Sequence, residues 1–102
     1  MMAFVKVGAL SQLAPGSVIE VLVDTSCYAI CNVDGQIHAL GGVCPHQGGP
    51  LGQGAVNGFH LTCPWHAWEF DCRTGEHDYN PVVRVATFPV QVVGDEILID
   101  IT

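Results

Sequence analysis

Basic residues are scarce in this chain, which has three Lys and Arg against ten Asp and Glu among its 102 residues. The formal charge of −7 argues against a polyanionic partner such as nucleic acid and favours a basic protein surface instead. The sequence also lacks a run of roughly 20 apolar residues that could span a membrane, and the N-terminus lacks the apolar run of a signal peptide. We therefore expect a soluble, cytoplasmic protein of one domain, residues 1–102, with no nucleic-acid or membrane partner.

An apolar period of 3.6 residues is also missing, which argues against long helices. Short β-like runs alternate with turn signals instead, at 17–23, 27–33 and 36–40, and again in a longer run at 82–93. Three dipeptides favour tight hairpin turns, namely Asp34-Gly35, Asn57-Gly58 and Gly94-Asp95. The pattern predicts an all-β protein of antiparallel sheets.

Five cysteines are present, an odd number, and in a reducing compartment such residues are more often metal ligands or buried thiols than disulfides. Two of them stand in short motifs with histidine, Cys44-Pro45-His46 and Cys63-Pro64-Trp65-His66. Sixteen residues separate His46 from Cys63, which is enough for the chain to form a hairpin and return. Two loops, each with one thiolate and one imidazole, are then expected to face a common point.

Two sulfur and two nitrogen ligands suit either a zinc ion or an iron-sulfur cluster in which His replaces Cys on one iron. A zinc knuckle usually has two to four residues between its ligands, whereas Cys44 and His46 have one. The spacing therefore favours a two-iron cluster, with Cys44 and Cys63 on the inner iron and His46 and His66 on the outer one. A zinc-stabilised interaction module stays open as an alternative that uses the same four side chains.

The pattern C-x-H-x16-C-x2-H, with Pro after each Cys, resembles the Rieske [2Fe-2S] signature, and the resemblance extends over essentially the whole chain. It implies a Rieske iron-sulfur fold of antiparallel β-sheets that carries one [2Fe-2S] cluster per chain. The cluster would lie at the tip of a small cluster-binding subdomain, at approximately residues 41–80.

Among Rieske proteins, the chain is most similar to the small ferredoxins that serve aromatic-ring-hydroxylating oxygenases. Rieske proteins of respiratory and photosynthetic complexes carry a disulfide at positions matching Gly49 and Trp65, and hydroxyl donors at positions matching Trp68 and Phe70. Fewer donors to the cluster predict a potential toward the low end of the roughly −150 to +300 mV range. Ala67 occupies a position that is usually Gly in the family.

Five residues are candidates for supporting the four ligands or shielding the cluster. Proline after each Cys leaves the neighbouring amides free to point at sulfur, so Gln47, Gly48, Trp65 and Ala67 are expected to act through their backbone. Pro81 is expected in the third loop that shields the cluster in the family. Trp65 is also a candidate hydrophobe for partner docking.

The remaining histidines and cysteines are expected to have structural roles. His60 is predicted to be a strand residue between the two loops rather than a fifth ligand, and His38 and His77 to be ordinary half-buried or surface histidines. Cys27 and Cys31 should be buried thiols on one strand face. Cys72 should end a strand before the turn at 73–75.

The resemblance implies an electron carrier rather than an enzyme. Its partners would be a flavoprotein reductase that uses NAD(P)H and a terminal ring-hydroxylating oxygenase, and acidic residues beside the second motif would steer it toward them; these are Glu69, Asp71, Glu76 and Asp78. An alternative is a small Rieske subunit bound within a larger oxidoreductase such as nitrite reductase.

Overall fold

The computed structural model describes residues 3–45, 48–65 and 67–102. Within these ranges the regular structure consists of antiparallel strands, so the all-β prediction is confirmed. Two short 3-10 turns, Leu10–Gln12 and Leu51–Gln53, interrupt the strands. The strands are β1 Phe4–Ala9, β2 Val18–Val23, β3 Ser26–Val33, β4 Gln36–Gly41, β5 Ala55–Asn57, β6 His60–Thr62, β7 Glu69–Asp71, β8 Thr87–Phe88, β9 Val90–Val93 and β10 Glu96–Asp100. A search of the described ranges finds no helix of the length and apolarity needed to cross a membrane.

Three antiparallel sheets make up the fold, with strand orders β1-β10-β9, β2-β3-β4-β8 and β5-β6-β7. Side chains of β3 alternate between two cores, as expected for a strand covered on both faces. Ala29 and Cys31 belong to the core shared with the β5-β6-β7 sheet, whereas Tyr28 and Ile30 belong to the core shared with β10. The four-stranded sheet therefore supports the β5-β6-β7 sheet, called the small sheet below, on one of its faces.

The core beneath the small sheet is rich in sulfur. Four of its buried members are cysteines, and they pack with Leu51, Leu61 and Phe70, whose side chains are fully buried. The cysteines are Cys31, Cys44, Cys63 and Cys72.

The hairpin turns follow the sequence with one shift. Asp34 and Gly35 both have positive φ, 51° and 93°, as a tight two-residue turn requires. Gly94 also has positive φ, 61°, between β9 and β10. The third turn lies one residue later than predicted, because Asn57 pairs with His60 and leaves Gly58 and Phe59 as the turn.

The prediction of a single β-run at 82–93 is wrong. Only Val90–Val93 pairs with β10, while Thr87–Phe88 joins the four-stranded sheet. Pro89, which has no N–H to donate to a ladder, separates the two strands. The preceding residues instead bind the segment after β7, through hydrogen bonds from His77 N–H to the Val83 carbonyl (2.8 Å) and from Val85 N–H to the Gly75 carbonyl (2.9 Å).

Candidate metal centre

The first candidate loop, residues 44–49, is closed by its own backbone. Val43 and Pro50 form a bridge at its base. Within it, Cys44 N–H donates to the Gly49 carbonyl and Gly48 N–H donates to the Cys44 carbonyl, both at 2.8 Å. These bonds bring the two ends of the loop together, with Cys44 at its start.

The second candidate loop, residues 63–68, repeats this closure. Cys63 follows β6 directly, and its N–H donates to the Trp68 carbonyl at 2.7 Å, just before β7 begins. In both loops the cysteine N–H therefore bonds to the carbonyl five residues later. The matched closure presents the two cysteines in equivalent positions.

The two cysteines meet at their thiols. Cys44 and Cys63 are both about 1% exposed, and their side chains are in hydrogen-bond contact. Burial raises the pKa of the Cys63 thiol, the amide of Trp65 opposes that increase, and contact with Cys44 adds to it. A shared metal would replace both thiol protons, because the thiolate is the form that binds metals. The two sulfur atoms would then contact the metal instead of each other's protons.

Backbone close to the sulfur atoms favours the thiolate form. Trp65 N–H points at Cys63 Sγ with an N–S distance of 3.4 Å. A hydrogen bond to the charged form of a ligand stabilises that form.

Gly49 is required by close packing. A Cβ atom at this position would lie 2.8 Å from Cys63 Sγ and 3.1 Å from Trp65 Cγ. Positions 49 and 65 match the disulfide of the Rieske proteins from respiratory and photosynthetic complexes, and they also lie side by side here. In this chain Gly49 and Trp65 pack against each other without a covalent link. The first loop can approach the second only because this side chain is missing.

Three predicted site residues, His46, Gln47 and His66, lie outside the described residues. Gly48 N–H is used within its own loop, as described above, and Ala67 lies in the second loop. Pro81 is exposed and borders a groove with Phe59. In the part of the chain that the structure describes, no three His, Cys, Asp or Glu side chains are grouped so as to hold a metal ion.

Ala67 has a left-handed backbone conformation, with φ of 56°. Glycine adopts this conformation without cost, whereas an L side chain there costs about 1–2 kcal/mol. This strain gives a physical reason for the glycine that is usual in the family at this position. Ala67 directly precedes Trp68, whose carbonyl closes the second loop.

Replacing Ala67 with Gly should therefore raise the free energy of unfolding by about 1 kcal/mol. Chemical denaturation followed by circular dichroism measures the change. Ala55→Gly is the matched control, because Ala55 is exposed in β5 and its backbone φ is not positive. That variant should be destabilised, and equal effects of the two variants would contradict the strain argument.

The other predicted structural residues lie mostly where expected. His60 begins β6 and its Nε2 lies 3.3 Å from the Asp78 carboxylate. Cys31 is fully buried, whereas Cys27 is only half-buried and packs beside Gly42. Cys72 follows β7, as predicted. Contact between Cys31 and Cys72, which lie in different sheets, had no signal in the sequence.

His77 lies beside the second loop in an aromatic cluster. Its ring centroid is 4.4 Å from that of Trp68 and 5.5 Å from that of Phe70. Its Nδ1 accepts a hydrogen bond from Asn80 N–H at 3.2 Å. The cluster holds the 77–80 segment against the second loop.

All three basic side chains pair with acids. Two of the acids predicted to steer partners are neutralised in this way, since Asp71 binds Arg73 (2.8 Å) and Glu76 binds Arg84 (3.2 Å). The Arg73 hydrogen bond lowers the pKa of Asp71. Lys6 pairs with Glu96 at the opposite sheet. The net charge of −7 thus comes from carboxylates without a basic Lys or Arg partner, which include Glu69 and Asp78.

These features fit a cluster with two cysteine ligands on one iron. The thiols of Cys44 and Cys63 are buried and in contact, and an amide points at one sulfur. Gly49 has no Cβ to obstruct the close approach of the two loops. A soft thiolate pair suits iron-sulfur clusters and zinc alike. The geometry of the described residues by itself keeps both metals open.

Comparison with known proteins separates them. The sequence matches the family model of the Rieske [2Fe-2S] domain over residues 3–89. It is 32% identical, over 92% of its length and 91% of the relative's, to the ferredoxin component of a naphthalene 1,2-dioxygenase system from Pseudomonas aeruginosa.

Solved structures share the fold of this chain. A chain in the complex of reduced oxygenase and oxidised ferredoxin of carbazole 1,9a-dioxygenase superposes with a TM-score of 0.86 at 29% identity, over 95% of this chain and 92% of that one. The putative NADH-dependent nitrite reductase small subunit from Mycobacterium tuberculosis superposes with a TM-score of 0.89 at 26% identity, over 100% and 97% of the two chains.

Proposed function

Since the chain belongs to the Rieske [2Fe-2S] domain family, we propose that it is a one-electron carrier that delivers electrons to a terminal ring-hydroxylating oxygenase. It is an electron-transfer component and not a catalytic subunit. The observation that carries this proposal is the contact of two buried thiols at equivalent positions of two matched loops, in a chain that matches ferredoxin components over nearly its whole length. A flavoprotein reductase that uses NAD(P)H is the proposed electron donor, and the cytoplasm the proposed location.

The cofactor is a [2Fe-2S] cluster, one per chain, and when bound it supplies reversible one-electron reduction. Cys44 and Cys63 are the proposed ligands of the inner iron, and His46 and His66 those of the outer iron. Trp65 N–H stabilises the Cys63 thiolate, and Leu51, Leu61 and Phe70 exclude water from the sulfur side. The proposed cluster-binding subdomain, residues 41–80, includes both candidate loops and the β5-β6-β7 sheet.

The test of the carrier role is a reconstituted assay with the reductase and oxygenase of a naphthalene 1,2-dioxygenase system. We expect NADH oxidation coupled to product formation to depend on the added protein, and anaerobic titration to show one electron accepted per chain. Product formation at the same rate without the protein would overturn the role.

The structural likeness to a nitrite reductase small subunit supports a second candidate function, as a subunit held within a larger oxidoreductase. The two functions differ in assembly. A free carrier elutes from a sizing column as a separate protein and reacts with its partners at diffusion-dependent rates. Co-purification of the native protein in a fixed ratio with a large reductase subunit would favour the second function.

The reduction potential is expected to lie toward the low end of the roughly −150 to +300 mV range of Rieske clusters. Positions 68 and 70 carry an indole and a phenyl ring where high-potential relatives carry hydroxyls, so neither offers an O–H to stabilise the reduced state. Voltammetry at neutral pH measures the midpoint. A value well above zero would contradict the assignment of a low-potential carrier.

Exposed apolar side chains border the two loops and form the proposed docking rim, Val43, Pro45 and Trp65. Trp65 is 48% exposed although it packs on Gly49, so its outer face is available to a partner. Exposed aromatic residues of this kind contribute strongly to protein–protein binding.

Trp65→Ala should therefore lower the second-order rate constant of electron transfer to the oxygenase by about tenfold, as expected for loss of an aromatic anchor. Stopped-flow absorption of the reduced protein mixed with oxygenase measures it. Leu22→Ala is the control, because Leu22 is 73% exposed but lies on β2, outside both loops and outside the docking rim. Equal rate constants for the two variants, with unchanged visible spectra, would exclude Trp65 from docking.

A further inference from the structure

We propose that Cys31 and Cys72 form an oxidisable thiol pair, which a hydroperoxide converts into a disulfide that staples the cluster-binding segment. Neither residue is a candidate cluster ligand, and the proposed electron-carrier function does not use them. Both side chains are almost completely buried, and their thiols are in hydrogen-bond contact. The inference goes beyond the proposed function and does not depend on it.

The backbone holds both thiols in place. Cys31 lies in the middle of β3, paired with Val18 on β2 and with His38 on β4. Cys72 is fixed by the hydrogen bond from its N–H to the Phe59 carbonyl at 2.9 Å. Because Cys31 is held within a strand and Cys72 by this hydrogen bond, bond formation would cost little further ordering of the chain.

The two sulfur atoms are not equivalent. The contact between the thiols, together with burial, raises the pKa of Cys31, whereas the same contact lowers the pKa of Cys72. Cys72 also lines a cavity whose lining does not include Cys31, so a peroxide in that cavity would meet Cys72 first, and thiolates are the nucleophiles in peroxide reduction. The pair thus has a defined attacking sulfur and a defined resolving sulfur.

A cavity lies next to Cys72. Cys72, His38 and Arg73 line a cavity of about 520 Å³ that opens between β4 and the segment after β7. In that wall, His38 Nε2 is buried and has no hydrogen-bond partner among the described residues. The lining of the cavity that contains Cys72 therefore includes a polar atom without a partner among the described residues, and a hydroperoxide can both accept and donate hydrogen bonds.

The reaction balances with hydrogen peroxide as the oxidant. The Cys72 thiolate attacks one peroxide oxygen, so that an S–O bond forms, the O–O bond breaks, and the departing oxygen leaves as water after protonation. The Cys31 sulfur then attacks the Cys72 sulfur, so that the S–S bond forms and the S–O bond breaks with release of a second water. Two thiols lose two electrons and two protons in total, and one peroxide becomes two water molecules.

The consequence follows from chain order. The segment 32–71 lies between the two cysteines and contains both candidate loops, 44–49 and 63–68. A disulfide would tie β3 of the four-stranded sheet to the end of β7 in the small sheet. It would therefore hold the two ends of the cluster-binding segment together, and this restricts the unfolded chain more strongly than the folded one.

Peptide mapping of the cluster-containing protein tests the proposal directly. The protein is treated with hydrogen peroxide, quenched with catalase, denatured and alkylated. Cleavage before aspartate places Cys27 and Cys31 in peptide 24–33, Cys44 and Cys63 in peptide 34–70, and Cys72 in peptide 71–77. We expect peptide 24–33 linked to peptide 71–77, with release of both by dithiothreitol.

Variants identify the cysteine pair. The link should persist in Cys27→Ser, which leaves Cys31 as the only partner in peptide 24–33, and should be lost in Cys31→Ser and Cys72→Ser. Recovery of fully alkylated Cys72 after a peroxide dose that bleaches the visible spectrum would overturn the proposal. A link that joins Cys72 to peptide 34–70 would also overturn the proposal. Either outcome leaves the reconstituted electron-transfer assay unaffected, so the two proposals fail separately.

The stapling role has its own readout. The cross-linked protein should unfold at a temperature several degrees higher than the reduced protein, and peroxide should produce no such increase in Cys72→Ser. An unchanged midpoint in protein whose cross-linking is complete by mass spectrometry would exclude stapling.

Discussion

Cys63→Ser should lose almost all iron and acid-labile sulfide, and with them the visible absorption of the protein. Cys63 is buried, its thiol contacts that of Cys44, and the Trp65 amide points at its sulfur. A serine hydroxyl at this point stays protonated at neutral pH and is a hard oxygen donor, whereas iron-sulfur clusters require thiolate. Metal analysis and visible spectroscopy of the purified variant measure the loss.

Cys27→Ser is the matched control for this substitution. It removes a thiol of the same chain that is half-buried beside Gly42, outside both candidate loops. This variant should retain iron and colour, and circular dichroism should show that both variants keep their strands. Normal iron content in Cys63→Ser, or equal loss in both variants, would contradict the ligand assignment.

Gly75→Ala should strongly destabilise the protein, with a loss of about 2–5 kcal/mol in the free energy of unfolding. Gly75 has φ of 77°, and a Cβ here would lie 2.1 Å from the carbonyl oxygen of Val85. That carbonyl is backbone and cannot rotate away as a side chain could. Since Val85 N–H also binds the Gly75 carbonyl, separating the two segments would break this connection.

Thermal unfolding measures the effect, and a midpoint lowered by roughly 10 °C or more is expected for a domain of this size. Gly94→Ala separates the two causes, because Gly94 has a similar φ of 61° in a hairpin turn with no atom within 4 Å of the added Cβ. That control should lose only the cost of the left-handed conformation, about 1–2 kcal/mol. A decrease in Gly75→Ala no larger than in the control would show that the close approach to Val85 relaxes freely.

Local sequence signals predicted the features that depend on neighbouring residues. The turns at Asp34-Gly35 and Gly94-Asp95 were predicted because positive φ is a property of single residues. The first hairpin turn was missed, since Asp24, with φ of 55°, stands before Thr25 rather than Gly. At 82–93 the apolar composition favoured a strand, but the backbone groups of Val83 and Val85 found partners outside a sheet.

By itself, the sequence determined the proposed ligand types, the spacing of the two motifs and the all-β class, because thiolate and imidazole chemistry and two-residue periodicity are local properties. Tertiary structure alone decided which atoms approach each other across the chain. It brings the Cys44 and Cys63 thiols into contact, makes Gly49 indispensable to that approach, and places Cys31 against Cys72. The physical reason is that close packing depends on how separate strands are juxtaposed, and no neighbour in the sequence records which side chains will meet.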